Sequence, residues 1–244
     1  MLGTNQMGGQ RGLGQLCRRI VLIAVICCGW IAVERLASEV LENETQRFDE
    51  AILLALRLPH DHGTPIGPHW LLRTVIDINS LGGIAILSLL TLLVMVYLLV
   101  NRRAAIAAYL VTSVLGGWAL ETALKYLVDR PRPTIVPQLM QETTLSFPSG
   151  HAMMATITYL TIAAILVRYH RSRMARIFLV ATAILLCVMI GLCRVYLGVH
   201  YPTDVIAGWC AGASWALCCY LIGCRTLTAH ELVPSDLGDR GATN

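Results

Sequence analysis

Two histidines, two aspartates and several fixed cations fall in three short stretches of a 244-residue chain. The last reads CRVYLGVHYPTD, residues 193–204, with Arg194, His200 and Asp204 spaced R-x5-H-x3-D. Asp204, four residues after His200, can accept from one imidazole nitrogen and leave the other free, which fixes the tautomer and raises nucleophilicity. Arg194 adds a planar donor fork suited to phosphate oxygens. The middle stretch is FPSGH, residues 147–151, placed just before a long apolar run. Pro148 suits a helix start, Ser149 brings a hydroxyl, Gly150 lets an anion approach the backbone, and the helix N-terminus favours phosphate. The first is KYLVDRPRP, in which Lys125, Arg130 and Arg132 sit in a turn stiffened by Pro131 and Pro133 and partly offset by Asp129. Singly, these stretches read as a basic rim, a capped helix and a histidine-carboxylate tie. Together they specify phosphoryl transfer without metal: cations for the equatorial oxygens, one histidine to attack phosphorus and another to protonate the leaving oxygen.

Such a site needs elements that bring the three stretches together. The chain is 56% hydrophobic and 14% charged, with a mean hydropathy of +0.63 and its apolar residues gathered into long runs, the profile of a polytopic membrane protein. Six spans are expected, from about Ile20 to Val33, Leu81 to Val100, Ala104 to Leu124, His151 to Val167, Ala175 to Leu197 and Thr203 to Cys224. The first has the shortest apolar core; a cleaved signal peptide is its rival reading, but an uncleaved helix fits better with the other five. Arginines mark alternate connections: Arg11, Arg18 and Arg19; Arg102 and Arg103; Arg168, Arg171, Arg173 and Arg176; and Arg225. By the positive-inside rule those ends are cytoplasmic, while the acid-rich connection from Glu34 to Ser80 lies outside. The expected architecture is therefore all-α, a six-helix membrane bundle with both termini cytoplasmic and all three stretches on the outer face. The basic KYLVDRPRP then stands against the topology rule, which favours a ligand-binding role.

The expected division is a cytoplasmic segment over 1–19, a membrane domain over 20–225 and a cytoplasmic tail over 226–244. Within the membrane domain, the outer segment at about 34–80 contains a short amphipathic helix in ETQRFDEAILLALRL, able to lie at the interface, followed by the turn-rich PHDHGTPIGPHW. The nine cysteines lie in or near apolar runs without a CxxC pair and read as small buried hydrophobes. His60, His62 and His69 read as residues of a solvated turn. No metal and no cofactor are expected. The net charge of +4 is accounted for by topology signals facing membrane lipid headgroups, so no nucleic-acid partner is called for, and no obligate protein partner is expected.

Lys125-x6-Arg132-Pro133, Pro148-Ser149-Gly150-His151 and Arg194-x5-His200-x3-Asp204 resemble the three-part signature of the type 2 phosphatidic acid phosphatase superfamily, whose wider membership includes soluble acid phosphatases and haloperoxidases. The resemblance implies a helical bundle with an outward-facing site. It implies His200 as a nucleophile forming a phosphohistidine, Asp204 as its orienting partner and His151 as general acid. Lys125, Arg132, Ser149, Gly150 and Arg194 would bind the phosphoryl group, with Glu121, Arg130 and Cys193 just behind them. Glu121, one turn before Lys125, is placed to aim the lysine. Cys193 stands where the family usually has serine, and a thiol is a weak donor. The implied activity is hydrolysis of a lipid phosphate or diphosphate, of the undecaprenyl diphosphate, phosphatidylglycerophosphate or phosphatidic acid class, at the outer face of a bacterial inner membrane. Two alternatives stand beside it: a lipid phosphotransferase that passes the phosphoryl group to a second lipid, and a non-catalytic phosphate-binding or transport protein.

Overall fold

A computed structural model gives the backbone of residues 4–226 and the side chains of residues 14 and 16–223. The side chains of Arg11 and Arg225, Cys224 and the expected tail beyond Thr226 lie outside the described residues. The elements are α1 (Thr4–Leu41), α2 (Gln46–Ala55), β1 (Arg57–Leu58), β2 (Asp61–Pro65), α3 (His69–Ser80), α4 (Ile84–Val100), α5 (Ala104–Val128), α6 (Gly150–Tyr169), α7 (Arg173–Tyr196) and α8 (Pro202–Thr226). Helices α1, α5, α6, α7 and α8 are each long and apolar enough to cross a membrane. The sixth span is built differently from the sequence expectation. Its apolar helix, α4, starts at Ile84 instead of Leu81, and α3 joins it across a break at a bend of 43°. Residues 69–80, expected to end an irregular outer segment, are instead helical and lead into α4 across the break.

The break has a local cause. Leu81-Gly82-Gly83 carries two consecutive glycines, which weaken a helix interior. A side chain at Gly82 would run into Ile190 of α7 and reach within 3.5 Å of His151 Cδ2. The bare backbone there lets α3 and α4 meet α7 beside the start of α6. Tyr159 of α6 ties the break down by donating to the Leu81 carbonyl at 2.9 Å.

Helix α6 is the central element and packs on α5, α7 and α8. Its inward face carries Ala152, Met153, Ala155, Ile157 and Thr158, all fully buried. Close approach of α8 rests on Gly208 and Gly212, a small-xxx-small pair. Added β-carbons at these positions would lie 2.9 Å from the Ser149 carbonyl oxygen and 2.7 Å from that of Met153. Trp209 and Trp215 of α8 then donate their indole N–H groups to the Cys187 carbonyl of α7 and the Ser113 carbonyl of α5, at 3.0 and 2.8 Å. Replacing Gly212 by valine should force α8 off α6. Overpacking of this kind costs about 1–3 kcal/mol, so the Tm in detergent should fall by about 5 °C together with activity. An unchanged Tm would show that the two backbones are not held in contact.

The segment expected on the outer side is more ordered than its composition announces. Helix α1 continues to Leu41, and α2 packs the buried Leu53 against Val136, Val195 and Val205. The expected turn is a small antiparallel hairpin of β1 and β2, closed by Asp61 accepting from Gly63 N–H and the Thr64 hydroxyl. At the opposite end of the bundle Arg18 of α1 donates to the Tyr220 hydroxyl of α8 at 2.5 Å, and Arg168 of α6 lies over the same ring.

Candidate active site

The turn from α7 into α8 carries two of the three candidate chemical groups. His200 is 1% exposed, and Asp204, in the first turn of α8, is fully buried. His200 Nδ1 lies 3.5 Å from Asp204 Oδ2. The same oxygen accepts from Tyr201 N–H at 3.0 Å and from the Ser146 hydroxyl, which itself stands 3.4 Å from His200 Nδ1. His200 Nε2 faces the cations, 3.3 Å from Arg132 Nη1. Burial pushes the His200 imidazole well below its ordinary range, and the charges of Arg194, Arg132 and Lys125 push it the same way. The ring is therefore neutral near pH 7, with Nδ1–H toward the carboxylate and the Nε2 lone pair toward the cationic pocket.

The cations are held by the loop between α5 and α6. Lys125, on the last turn of α5, pairs with Glu121 Oε1 at 3.0 Å and donates to Thr144 Oγ1 at 3.0 Å. Arg132 donates through Nε to the Thr144 carbonyl at 2.6 Å, through Nη2 to Thr144 Oγ1 at 3.0 Å and through Nη1 to the Val199 carbonyl at 2.7 Å. Arg194, fully buried at the end of α7, donates to Asn79 Oδ1 of α3 at 3.1 Å and to Glu142 Oε1 at 2.6 Å. Glu142 Oε2 is 3.6 Å from Arg132 Nη2, so one carboxylate bridges both guanidinium groups. Burial alone would raise the Glu142 carboxyl; Arg194 and Arg132 outweigh it and hold the group below the usual carboxylate range. The bridging carboxylate marks where the oxygens of an anionic ligand can be held.

The start of α6 forms the third side. Ser149 occupies the N-cap position in an extended conformation without a side-chain cap bond, and its own N–H donates to the Asp204 carbonyl at 3.0 Å. A β-carbon at Gly150 would stand 2.5 Å from Glu121 Oε1, so glycine is what admits the Glu121–Lys125 pair beneath the helix terminus. Ser149 Oγ and Arg194 Nε are buried and have no partner in the protein. Orphaned buried donors are costly, and an anionic oxygen is a group that either could bond. A cavity of about 990 Å³ opens here, bounded at its polar end by Lys125, Arg132, Glu142, Gly150 and His151. It runs between α4, α5 and α6 along Ile84, Leu87, Val114, Leu115, Trp118 and Met154.

All eight residues expected to act or to bind phosphate gather at this end of the bundle. Of those expected behind them, Glu121 meets Lys125, and Arg130 meets Asp204 at 2.6 Å instead of pointing to the pocket. Cys193 packs with Val75, Leu197 and Val199 in an apolar cluster. Asp49, Asn79, Glu142, Thr144 and Ser146 complete the site and were not singled out from the sequence. Asp49 had a signal: it lies four residues before the buried Leu53 on the inward face of α2. His60, His62 and His69 are exposed, and among the described residues no group of three or more His, Cys, Asp or Glu is placed to hold a metal.

A helical membrane bundle with an anion pocket, two histidines and a carboxylate at one end defines a membrane phosphatase. The chain belongs to the PAP2 superfamily, whose profile matches residues 104–225. It is 32% identical over 180 residues to phosphatidylglycerophosphatase B of Bacillus subtilis (strain 168), covering 72% of this chain and 84% of that one. With lipid A 1-phosphatase of Rhizobium etli it shares 32% identity over 138 residues, 53% of this chain and 55% of that protein's length. The crystal structure of a transmembrane PAP2 type phosphatidylglycerolphosphate phosphatase from Bacillus subtilis superposes with a TM-score of 0.75 at 28% identity, over 84% of this chain and 98% of that one. The protein is an integral membrane lipid phosphatase.

Proposed function

We propose that this protein hydrolyses the phosphate of a glycerophospholipid or polyprenyl substrate, of the phosphatidylglycerophosphate, phosphatidic acid or undecaprenyl diphosphate class, through a phosphohistidine. The observation that carries this reading is a neutral imidazole, held by Asp204 and Ser146 on one side, whose free nitrogen faces Arg132; Ser149 Oγ and Arg194 Nε, buried without a protein partner, add to it. In the first step His200 Nε2 forms an N–P bond, the P–O bond to the lipid breaks, and His151 gives its proton to the leaving oxygen. Lys125, Arg132, Arg194, Ser149 and the α6 N–H groups hold the three equatorial oxygens. In the second step His151 takes a proton from water, which attacks phosphorus; the N–P bond breaks and inorganic phosphate leaves. Asp204 keeps the His200 tautomer and stabilises the positive charge that the ring acquires.

The apolar walls of the cavity suit an acyl or prenyl chain, with the headgroup at Lys125 and Arg132. Arginine bias supports an outward-facing site end; the membrane proposed is a bacterial inner membrane, with residues 20–225 forming one membrane phosphatase domain. Purified protein in detergent should release inorganic phosphate from at least one of these lipids without any second lipid. Release only when an acceptor lipid is added, or no turnover across the panel, would overturn the hydrolase reading.

A further inference from the structure

We infer that Asp49, on the outer helix α2, is a positioning residue for the reaction, acting through Arg130 on Asp204 and thus on His200. This inference rests on the reading of His200 as nucleophile. Asp49 is fully buried, as is Asp204, and Arg130 lies between them. Arg130 Nη2 meets Asp49 Oδ2 at 2.7 Å and Nη1 meets Asp204 Oδ1 at 2.6 Å. The guanidinium also donates to Thr203 Oγ1 at 2.8 Å and stacks over the Tyr201 ring at 4.0 Å. Asp49 in turn accepts from Thr203 Oγ1 at 2.6 Å and from Thr203 N–H at 3.1 Å. Every strong contact of Arg130 is therefore to the start of α8 or to Asp49; none goes to the phosphate pocket.

The charge count gives this arrangement its consequence. Arg130 against Asp204 alone would be a neutral pair, and the imidazole would face a carboxylate whose charge is already cancelled. With Asp49 on the far side of the guanidinium the buried triad carries one net negative charge, which keeps Asp204 able to support positive charge on His200. The support matters because cations surround the ring: Arg132 from the α5–α6 loop, Arg194 from α7 and Lys125 from α5 act on it. On the opposing side stand Asp204 of α8, with the Ser146 hydroxyl between, and Glu142, which bridges Arg132 and Arg194. A buried triad is weak evidence for stability as such. Asp49 also accepts from the Thr203 N–H in the first turn of α8, where a carboxylate is favourable, so a purely structural role must be told apart from this one.

The pH profile of kcat/KM separates the two. Asp49→Asn keeps the volume and removes the charge. It should lower kcat by about 10- to 100-fold with KM little changed, and move the acid limb of kcat/KM to lower pH by about half a unit, because His200 loses support for its protonated form. Asp49→Glu should restore the limb. Thr203→Val, which breaks the neutral contacts and leaves the charges, should leave the limb in place. Comparison with wild type on one substrate, dioctanoyl phosphatidic acid, cancels the substrate's own ionisation. If Asp49→Asn does not accumulate as folded protein, Asp49→Ser, which keeps an acceptor for Thr203, carries the same two expectations. A lowered plateau and Tm with the limb unmoved would assign Asp49 to α8 capping alone and overturn the inference, as would wild-type kinetics. His200→Ala in the same assay tells the two levels apart: an active His200→Ala removes the nucleophile reading itself, whereas an inactive one with an unmoved Asp49→Asn limb removes only the role of Asp49.

Discussion

His200→Ala should lose at least ~10⁴-fold in kcat, the scale on which removal of a covalent nucleophile acts in other hydrolases, while the protein stays folded. The reason lies in how completely the ring is committed. It is 1% exposed, its Nδ1 side is engaged with Asp204 and Ser146, and Nε2 is the nitrogen left facing the cations. A rapid-quench experiment with labelled lipid phosphate should trap an acid-labile, alkali-stable phosphoprotein in the wild type and none in the variant. Because the vacated volume is ring-shaped and lined by the same cations, added imidazole should restore part of the turnover. The wild-type enzyme should hold its activity to below about pH 6.5, the ordinary histidine value, since burial and the neighbouring cations keep the ring unprotonated there. Undiminished hydrolysis by His200→Ala would sink the covalent mechanism.

His151→Asn should cost about 10²- to 10⁴-fold, the range for loss of a general acid, and the loss should depend on what leaves. An alkoxide of a glycerolipid needs a proton as the P–O bond breaks; a p-nitrophenolate does not. The variant should therefore retain far more activity on a p-nitrophenyl phosphate ester than on phosphatidic acid. On the activated ester it should show a burst of p-nitrophenol followed by a slow steady state, because the same histidine is needed to activate water in the second step. Equal losses on both substrates, with no burst, would assign His151 to phosphate binding alone. The geometry behind this expectation is the position of His151 at the first turn of α6 on the wall of the cavity, with the glycine break of the sixth span against the ring.

Much of the site was legible because its parts are written at helix ends, where short spacings survive folding. Lys125 to Pro133, Ser149 to His151 and Arg194 to Asp204 each bring their own turn or first helical turn with them. Arginine bias placed those ends on one face, and the structure gathers them there. The supporting residues had no such signature. Thr144, Ser146 and Glu142 lie in a loop without regular structure, and their meaning appears only when it folds back on Arg132, Arg194 and Asp204. Asn79 meets Arg194 across 115 positions and was hidden because the glycine pair after it reads as the end of an outer segment. Asp49 read as one more acid of a solvated connection, although a single carboxylate on the apolar face of a short helix signals a buried partner. Cys193 shows the opposite limit: the family pattern invites a polar role, and its surroundings are apolar.

The cavity that leaves the catalytic end between α4, α5 and α6 is rimmed by residues on the outside of the bundle: Ile84 is 74% exposed, Leu115 60%, Trp118 55% and Tyr126 77%. On the proposed function, that exposed apolar rim would face lipid, and a substrate would meet the mouth by drifting sideways in its own leaflet without passing through water. The quantity that saturates such an enzyme is the mole fraction of substrate in the surface, not its bulk molarity. Diluting a fixed amount of lipid phosphate with inert phosphatidylcholine in the same vesicles should then slow turnover, whereas adding buffer at constant lipid composition should not.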